Sequence, residues 1–170
     1  MIPDEAQCVS ILEREGADPK LIEHCRAVAS LADRVAQKIS VKLKINSPAI
    51  LAGALLHDLG RTKTQGAEHG VIGAKIARSY GVDDSVCRII ERHVGPGFTD
   101  SDAVVLGLPL GKIYLPTTIE EKIVCYSDKL AYPGGTATRK EALESYEAEF
   151  GKGAPLERLR LLLEEISSLC

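Results

Sequence analysis

A histidine and an aspartate stand side by side, His57 and Asp58, at the end of the apolar run AILAGALL that occupies residues 49–56. Eight consecutive residues without a charge or a strong hydrogen-bonding side chain read as a buried helix. Delivering an imidazole and a carboxylate into such surroundings is costly without a partner. A divalent cation suits both, because imidazole nitrogen and carboxylate oxygen are good donors to first-row metals. The chain holds four histidines, His24, His57, His69 and His93, and each sits where a helix can point it inward. Taken singly, a histidine on an apolar face is more often a packed core residue than a ligand. A lone Asp128 likewise more often caps a turn or pairs with its neighbour Lys129. The signal lies in concurrence, since every histidine and two aspartates occupy inward or helix-end positions.

The elements that must position these groups read as helical almost throughout. A first helix is predicted from near Pro3 to Glu15, stopped by Gly16. A second follows Asp18-Pro19 and runs to about Ser40, with Leu21, Val28, Leu31 and Val35 at three- and four-residue steps and His24 on their face. The third opens at Asn46-Ser47-Pro48, a cap and a first-turn proline, and ends at the His57-Asp58 pair. GRTKTQG, residues 60–66, reads as a polar loop. A fourth helix, from about Glu68 to Tyr80, carries His69 in its first turn. A fifth, capped by Asp83 or Asp84, puts Val86, Ile89, Ile90 and His93 on one face. Residues 94–117, dense in glycine and proline, read as a long irregular region whose apolar pieces pack down, in a position to cover a site. A sixth helix from Thr118 to about Ala131 turns Ile123, Val124, Ser127 and Leu130 inward, with Asp128 beside them. After the break at Pro133-Gly134-Gly135, two amphipathic helices are expected near Arg139–Phe150 and Pro155–Leu169. The expectation is an all-α fold of seven or eight helices, a single domain over residues 1–170, with helices 138–170 packing on a core of about 21–132.

The order His24, His57-Asp58, Asp128 resembles the H…HD…D signature of the HD-domain superfamily of metal-dependent phosphohydrolases. HDLGR is similar to the HDIG and HDIGK forms of its central motif. EHGVIGAKIA, ERHVG and EKIVCYSDKL resemble the branch with two additional histidines, which includes bacterial symmetrical diadenosine tetraphosphate hydrolases. The likeness covers about Leu21 to Tyr132. It implies that His24, His57, Asp58 and Asp128 hold one metal, that His69 and His93 hold a second, and that Asp58 bridges the two. The implied cofactor is one or two divalent transition ions, with Fe or Mn favoured over Co, Ni or Zn in a mixed site of this kind. The implied chemistry is hydrolysis of a phosphoester or phosphoanhydride of a nucleotide-like substrate. Metals about 3.5–4 Å apart acidify water and neutralise phosphoryl oxygens. Asp58 belongs to that machinery. Arg61, where many relatives have lysine, and Lys129 are the candidate phosphate contacts. Lys63 reads more readily as a solvated surface charge, and Glu68 either orients His69 or complements a helix dipole.

Composition narrows the partners. A net charge of -3 and a pI near 5.8 argue against a dedicated nucleic-acid surface, leaving a small phosphorylated ligand. Cys8, Cys25, Cys87, Cys125 and Cys170 form no CxxC pair, so neither a zinc finger nor a disulfide framework is expected. No stretch approaches the roughly 18 apolar residues of a membrane span, and MIPDEAQC lacks the pattern of a signal peptide; a cytoplasmic protein is expected. LRLLLEEISSLC carries enough leucine to pack on its own domain or on a second copy, so a homodimer is an open alternative. Two other functions remain on the residues alone: a di-iron oxygenase on the same fold, and a non-catalytic nucleotide- or metal-binding module.

Overall fold

A computed structural model describes residues 1–170 of the chain. Its helices are α1 (Glu5–Arg14), α2 (Pro19–Ser40), α3 (Ser47–Leu56), a 3-10 turn (Leu59–Thr62), α4 (His69–Ser79), α5 (Asp84–Arg92), α6 (Asp100–Leu106), α7 (Ile119–Leu130), α8 (Arg139–Phe150) and α9 (Ala154–Leu169). A two-residue hairpin, β1 (Ala131–Tyr132) with β2 (Gly135–Thr136), pairs Ala131 with Thr136 across the Pro133-Gly134 turn. The all-α expectation holds. Nine α-helices form where seven or eight were expected, because α6 lies inside the stretch read as irregular. Its start is a capping box, Thr99 Oγ1 accepting from Asp102 N and the Asp102 carboxylate accepting from Thr99 N, and left-handed Gly107 ends it. The polar loop after Asp58 likewise begins as the 3-10 turn.

α3 is the central element, apolar on all sides and buried at Ala49, Ile50 and from Ala52 to Leu56. Asn46 caps it by accepting from Ala49 N, and Pro48 occupies its first turn. Helices α1, α2, α5 and α7 pack around it. Its crossing with α5 is close because residue 53 is glycine: a Cβ there would lie 2.6 Å from Ile89 Cγ2. His57 and His93 each stand four residues beyond that crossing, so the short helix separation is handed to their rings, whose centroids are 4.8 Å apart. A second close crossing joins the 3-10 turn to α4, where a Cβ on Gly60 would run into the His69 carbonyl and one on Gly73 would lie 2.9 Å from Gly60 N.

The end of α5 is fixed from the other side. Arg92 Nη1 donates to both oxygens of the buried Glu121 carboxylate at 3.0 Å, and that carboxylate also accepts from Thr117 N at 2.7 Å. One buried ion pair with its remaining lone pairs satisfied thus ties α5, just before His93, to the first turn of α7. Arg92 Nε also donates to Ile113 O, and Lys112 donates to buried Glu91. The segment 107–117 is thereby strapped against α5, where Leu108 and Tyr114 join Ala103 in a small separate cluster with Val71 and Phe98. It packs down as expected. It does not line the groove beside the His/Asp cluster, which is formed by residues 16–24 and 58–65.

Leu159, Leu162, Leu163 and Ile166 of α9 belong to the same core as α2, α3 and α7. Four cysteines are buried and Cys170 is exposed. No helix is long and apolar enough to cross a membrane.

Candidate metal centre

The six residues singled out in the sequence converge on one spot, delivered by five helix ends or faces. His24 comes from α2, His57 and Asp58 from the end of α3, His69 from the first residue of α4, His93 from the end of α5, and Asp128 from α7. They divide into two groups that share Asp58. In the first, His24 Nε2 and His57 Nε2 are 3.3 Å apart; both approach Asp128 Oδ1, at 3.2 and 3.3 Å, and Asp58 Oδ2, at 3.7 and 3.5 Å. In the second, His69 Nε2 and His93 Nε2 are 3.1 Å apart and lie 3.2 and 3.4 Å from Asp58 Oδ1. Asp58 therefore turns one oxygen to each group.

The ring tautomers follow from the other nitrogens. His57 Nδ1 sits 2.7 Å from Ala54 O, His69 Nδ1 2.8 Å from Gly66 O and His93 Nδ1 2.7 Å from Ile90 O. Each carbonyl needs a donor, so Nδ1 carries a hydrogen, and a ring holding no second proton turns the lone pair of Nε2 to the centre. Two lone pairs facing each other at 3.1 Å repel unless something positive lies between them. The arrangement fits a cation, and the donor set, four imidazoles with two carboxylates, fits divalent transition metals.

Charge within the cluster is strongly polarised. Burial works against ionising Asp58, yet the close imidazoles of His57, His69 and His93 hold its carboxyl well below the usual range. Burial likewise opposes charge on Asp128, and Lys129 with His57 outweighs it, lowering that pKa also. His57 is desolvated, but Asp58 and Asp128 raise its pKa above the ordinary histidine value. His93 goes the other way: burial, with repulsion from His57, brings it down to about 4. The carboxylates are thus anionic and His93 neutral at pH 7.

The remaining candidates separate clearly. Lys129 Nζ lies 2.6 Å from Asp128 Oδ2, which leaves Oδ1 turned to His24 and His57. The Asp128–Lys129 pairing and the inward role of Asp128 therefore coexist. Arg61 Nε is 3.4 Å from Asp58 Oδ1, Nη1 donates to Gln65 O at 3.0 Å, and the side chain borders the groove. Lys63 pairs with Glu15 at 3.0 Å. Glu68 accepts from Thr64 Oγ1, while Gly66 O serves the His69 ring, so Glu68 does not orient it. Sequence reasoning missed Lys20 and Gln65 on the groove. For Lys20 the signal was available: it stands four residues before His24 and so shares its face of α2.

Fold and cluster together define a helical domain of the His/Asp metal-site type. The HD domain model matches residues 21–132, and the chain belongs to the HD domain family. An uncharacterized protein of Methanocaldococcus jannaschii is 41% identical over 151 residues, covering 88% of this chain and 89% of that protein. A tRNA (cytidine(56)-2'-O)-methyltransferase of Picrophilus torridus is 43% identical over 99% of this chain, which spans only 48% of the relative's length. Ribonuclease Y of Acidothermus cellulolyticus is 31% identical over 74% of this chain and 22% of its own. The HD domain of the Listeria monocytogenes phosphodiesterase PgpH, in complex with cyclic-di-AMP, superposes with a TM-score of 0.57 at 17% identity, covering 94% of this chain and 95% of that one; at that identity the likeness is one of fold.

Proposed function

We propose that the chain is a metal-dependent phosphohydrolase acting on a nucleotide-like phosphate ester or anhydride. The observation that carries this reading is the pair of His Nε2–His Nε2 approaches, 3.1 and 3.3 Å, with hydrogen-bonded Nδ1 atoms on three of the four rings and anionic oxygens beside them. His24, His57, Asp58 Oδ2 and Asp128 Oδ1 would hold one ion; His69, His93 and Asp58 Oδ1 would hold the other. When bound, such ions act as Lewis acids, acidifying water for attack on phosphorus and offsetting the charge that grows on the phosphoryl oxygens. The chain's own residues do the rest. The carbonyls of Ala54, Gly66 and Ile90 fix three rings in one tautomer and orientation. Lys129 keeps Asp128 ionised and aimed. Arg61, at the mouth, keeps Nη2 available to donate to a phosphoryl group.

The names of the relatives bear on the substrate. Ribonuclease Y relatives and a neighbour that binds cyclic-di-AMP support a nucleotide phosphodiester among the candidates. The relative named as a tRNA methyltransferase is about twice as long as its match to this chain, and four imidazoles around carboxylates are not methyl-transfer chemistry. A second reading has one observation in its favour: His69, His93 and Asp58 make a two-histidine, one-carboxylate face, the donor set of iron oxygenases. The deciding experiment follows hydrolysis of a panel of nucleotide monoesters, diesters and anhydrides by product chromatography, with Mn- or Fe-loaded protein, under strict anaerobiosis. Turnover without oxygen supports hydrolysis. Turnover only with oxygen consumption supports the oxygenase, and no ion uptake at all would leave the histidines as core residues.

A further inference from the structure

The groove beside the cluster has a volume of about 430 Å³ and is lined by Lys20, Leu21, His24, Asp58, Arg61 and Gln65 among others. Two cationic side chains face it. Lys20 is exposed and stands one helical turn from His24 on the same side of α2, about 6 Å along the axis. Arg61 keeps Nε and Nη1 occupied by Asp58 and Gln65, leaving Nη2 for a ligand. Asp18, the other acid on the groove besides Asp58, is occupied in capping α2, its Oδ1 accepting from Leu21 N at 2.8 Å. No phenylalanine, tyrosine or tryptophan lines the groove, and its one ring, His24, belongs to the cluster. It therefore offers charge one turn away from the metal ligands and no ring free for a base to stack on.

We propose that Lys20 and Arg61 form a subsite for a second phosphate, so that the enzyme selects substrates carrying another phosphate within about one helical turn of the scissile one and is indifferent to the base. This rests on the phosphohydrolase reading and deepens it. Arg61 contributes Nη2 beside Asp58, and Lys20 marks the distal position. A charge-assisted contact to one phosphate corresponds to roughly tenfold or more in affinity.

The test compares adenosine 5′-monophosphate with adenosine 3′,5′-bisphosphate, which present the same scissile ester, using metal-loaded protein. The bisphosphate is expected to have a kcat/KM at least about tenfold higher, carried in KM. Lys20→Ala should raise KM for the bisphosphate about tenfold more than for the monophosphate, and Lys20→Arg should restore it. Metal content and thermal midpoint of each variant, measured in parallel, separate loss of the subsite from loss of the cluster or the fold. Cytidine 3′,5′-bisphosphate should match the adenosine compound within about threefold. As a readout apart from turnover, calorimetry on metal-free protein should show tighter binding of the bisphosphate, weakened in Lys20→Ala. Equal KM values for the two adenosine compounds, an unaltered preference in Lys20→Ala, or a tenfold preference for one base would each overturn the subsite while leaving the phosphohydrolase intact. Absence of hydrolysis of any monoester, diester or anhydride by metal-loaded protein would overturn the phosphohydrolase reading itself, and calorimetry would then judge the subsite alone.

Discussion

Asp58 differs from the five other residues of the cluster in facing both halves, one carboxylate oxygen to His24 and His57, the other to His69 and His93. Asp58→Ala should therefore lose both ions, whereas His69→Ala should lose one and keep the set of His24, His57, Asp58 and Asp128. Metal analysis of the two variants, in equivalents per chain, checks this; equal losses would mean that the halves are not separable. Protons compete for the same lone pairs. Asp58 and Asp128 raise the His57 pKa against burial, so a proton competes with an ion for that ring and binding must expel it; the pKa of His93, near 4, imposes no such cost at neutral pH. Metal affinity should consequently climb as pH rises through the ordinary histidine range and above it, measurable by competition with a chelator of known affinity. A flat profile would contradict the assigned charges. At this scale the sequence was highly legible, because histidines are few and each ended or shared an apolar stripe. The carbonyls that set the tautomers were not legible, since a backbone oxygen three residues back in a helix end carries no residue signature. Nor was the division of labour in Asp128, one oxygen for Lys129 and the other for the histidines.

Between elements, geometry depends on two glycine crossings, α3 on α5 at Gly53 and the 3-10 turn on α4 at Gly60 and Gly73. Gly60→Ala places a methyl against the His69 carbonyl, which is backbone and has to move as a unit with α4. The expected outcome is a loss of stability of about 1–3 kcal/mol together with selective loss of the ion held by His69 and His93. Denaturant unfolding and metal stoichiometry report the two effects; a stable variant with full metal content would show that α4 does not depend on this contact. Helices α2, α3, α4, α5 and α7 were readable from caps and periodicity at nearly their observed limits. α6 was not, because glycine and proline on either side masked a seven-residue helix whose Thr99–Asp102 capping box was present in the sequence. The 3-10 turn was hidden similarly: its polar residues match a loop, and only the packing of Leu59 and Gly60 against α4 selects the tighter turn.

For the molecule as a whole, the cluster is a cross-link. His24 and Asp128 are 104 positions apart and within 3.2 Å, so ions held between them favour the folded chain over the unfolded one. At free metal near one hundred times its dissociation constant the gain is about 2.7 kcal/mol, and for a chain of this size chelation should lower the thermal midpoint by roughly 5–10 °C. Calorimetric scans with and without chelator, at fixed protein concentration, measure it. An unchanged midpoint would mean that no ion is held by the folded state alone.

The distribution of thiols bears on how such samples behave in air. Burial pushes the Cys8 and Cys125 thiols up to about 12 and leaves Cys170 as the one exposed cysteine. Oxidation during storage would act there first, joining two chains through Cys170 by a bond that owes nothing to their surfaces. A dimer seen by light scattering would then record the age of the preparation unless it persists in reductant.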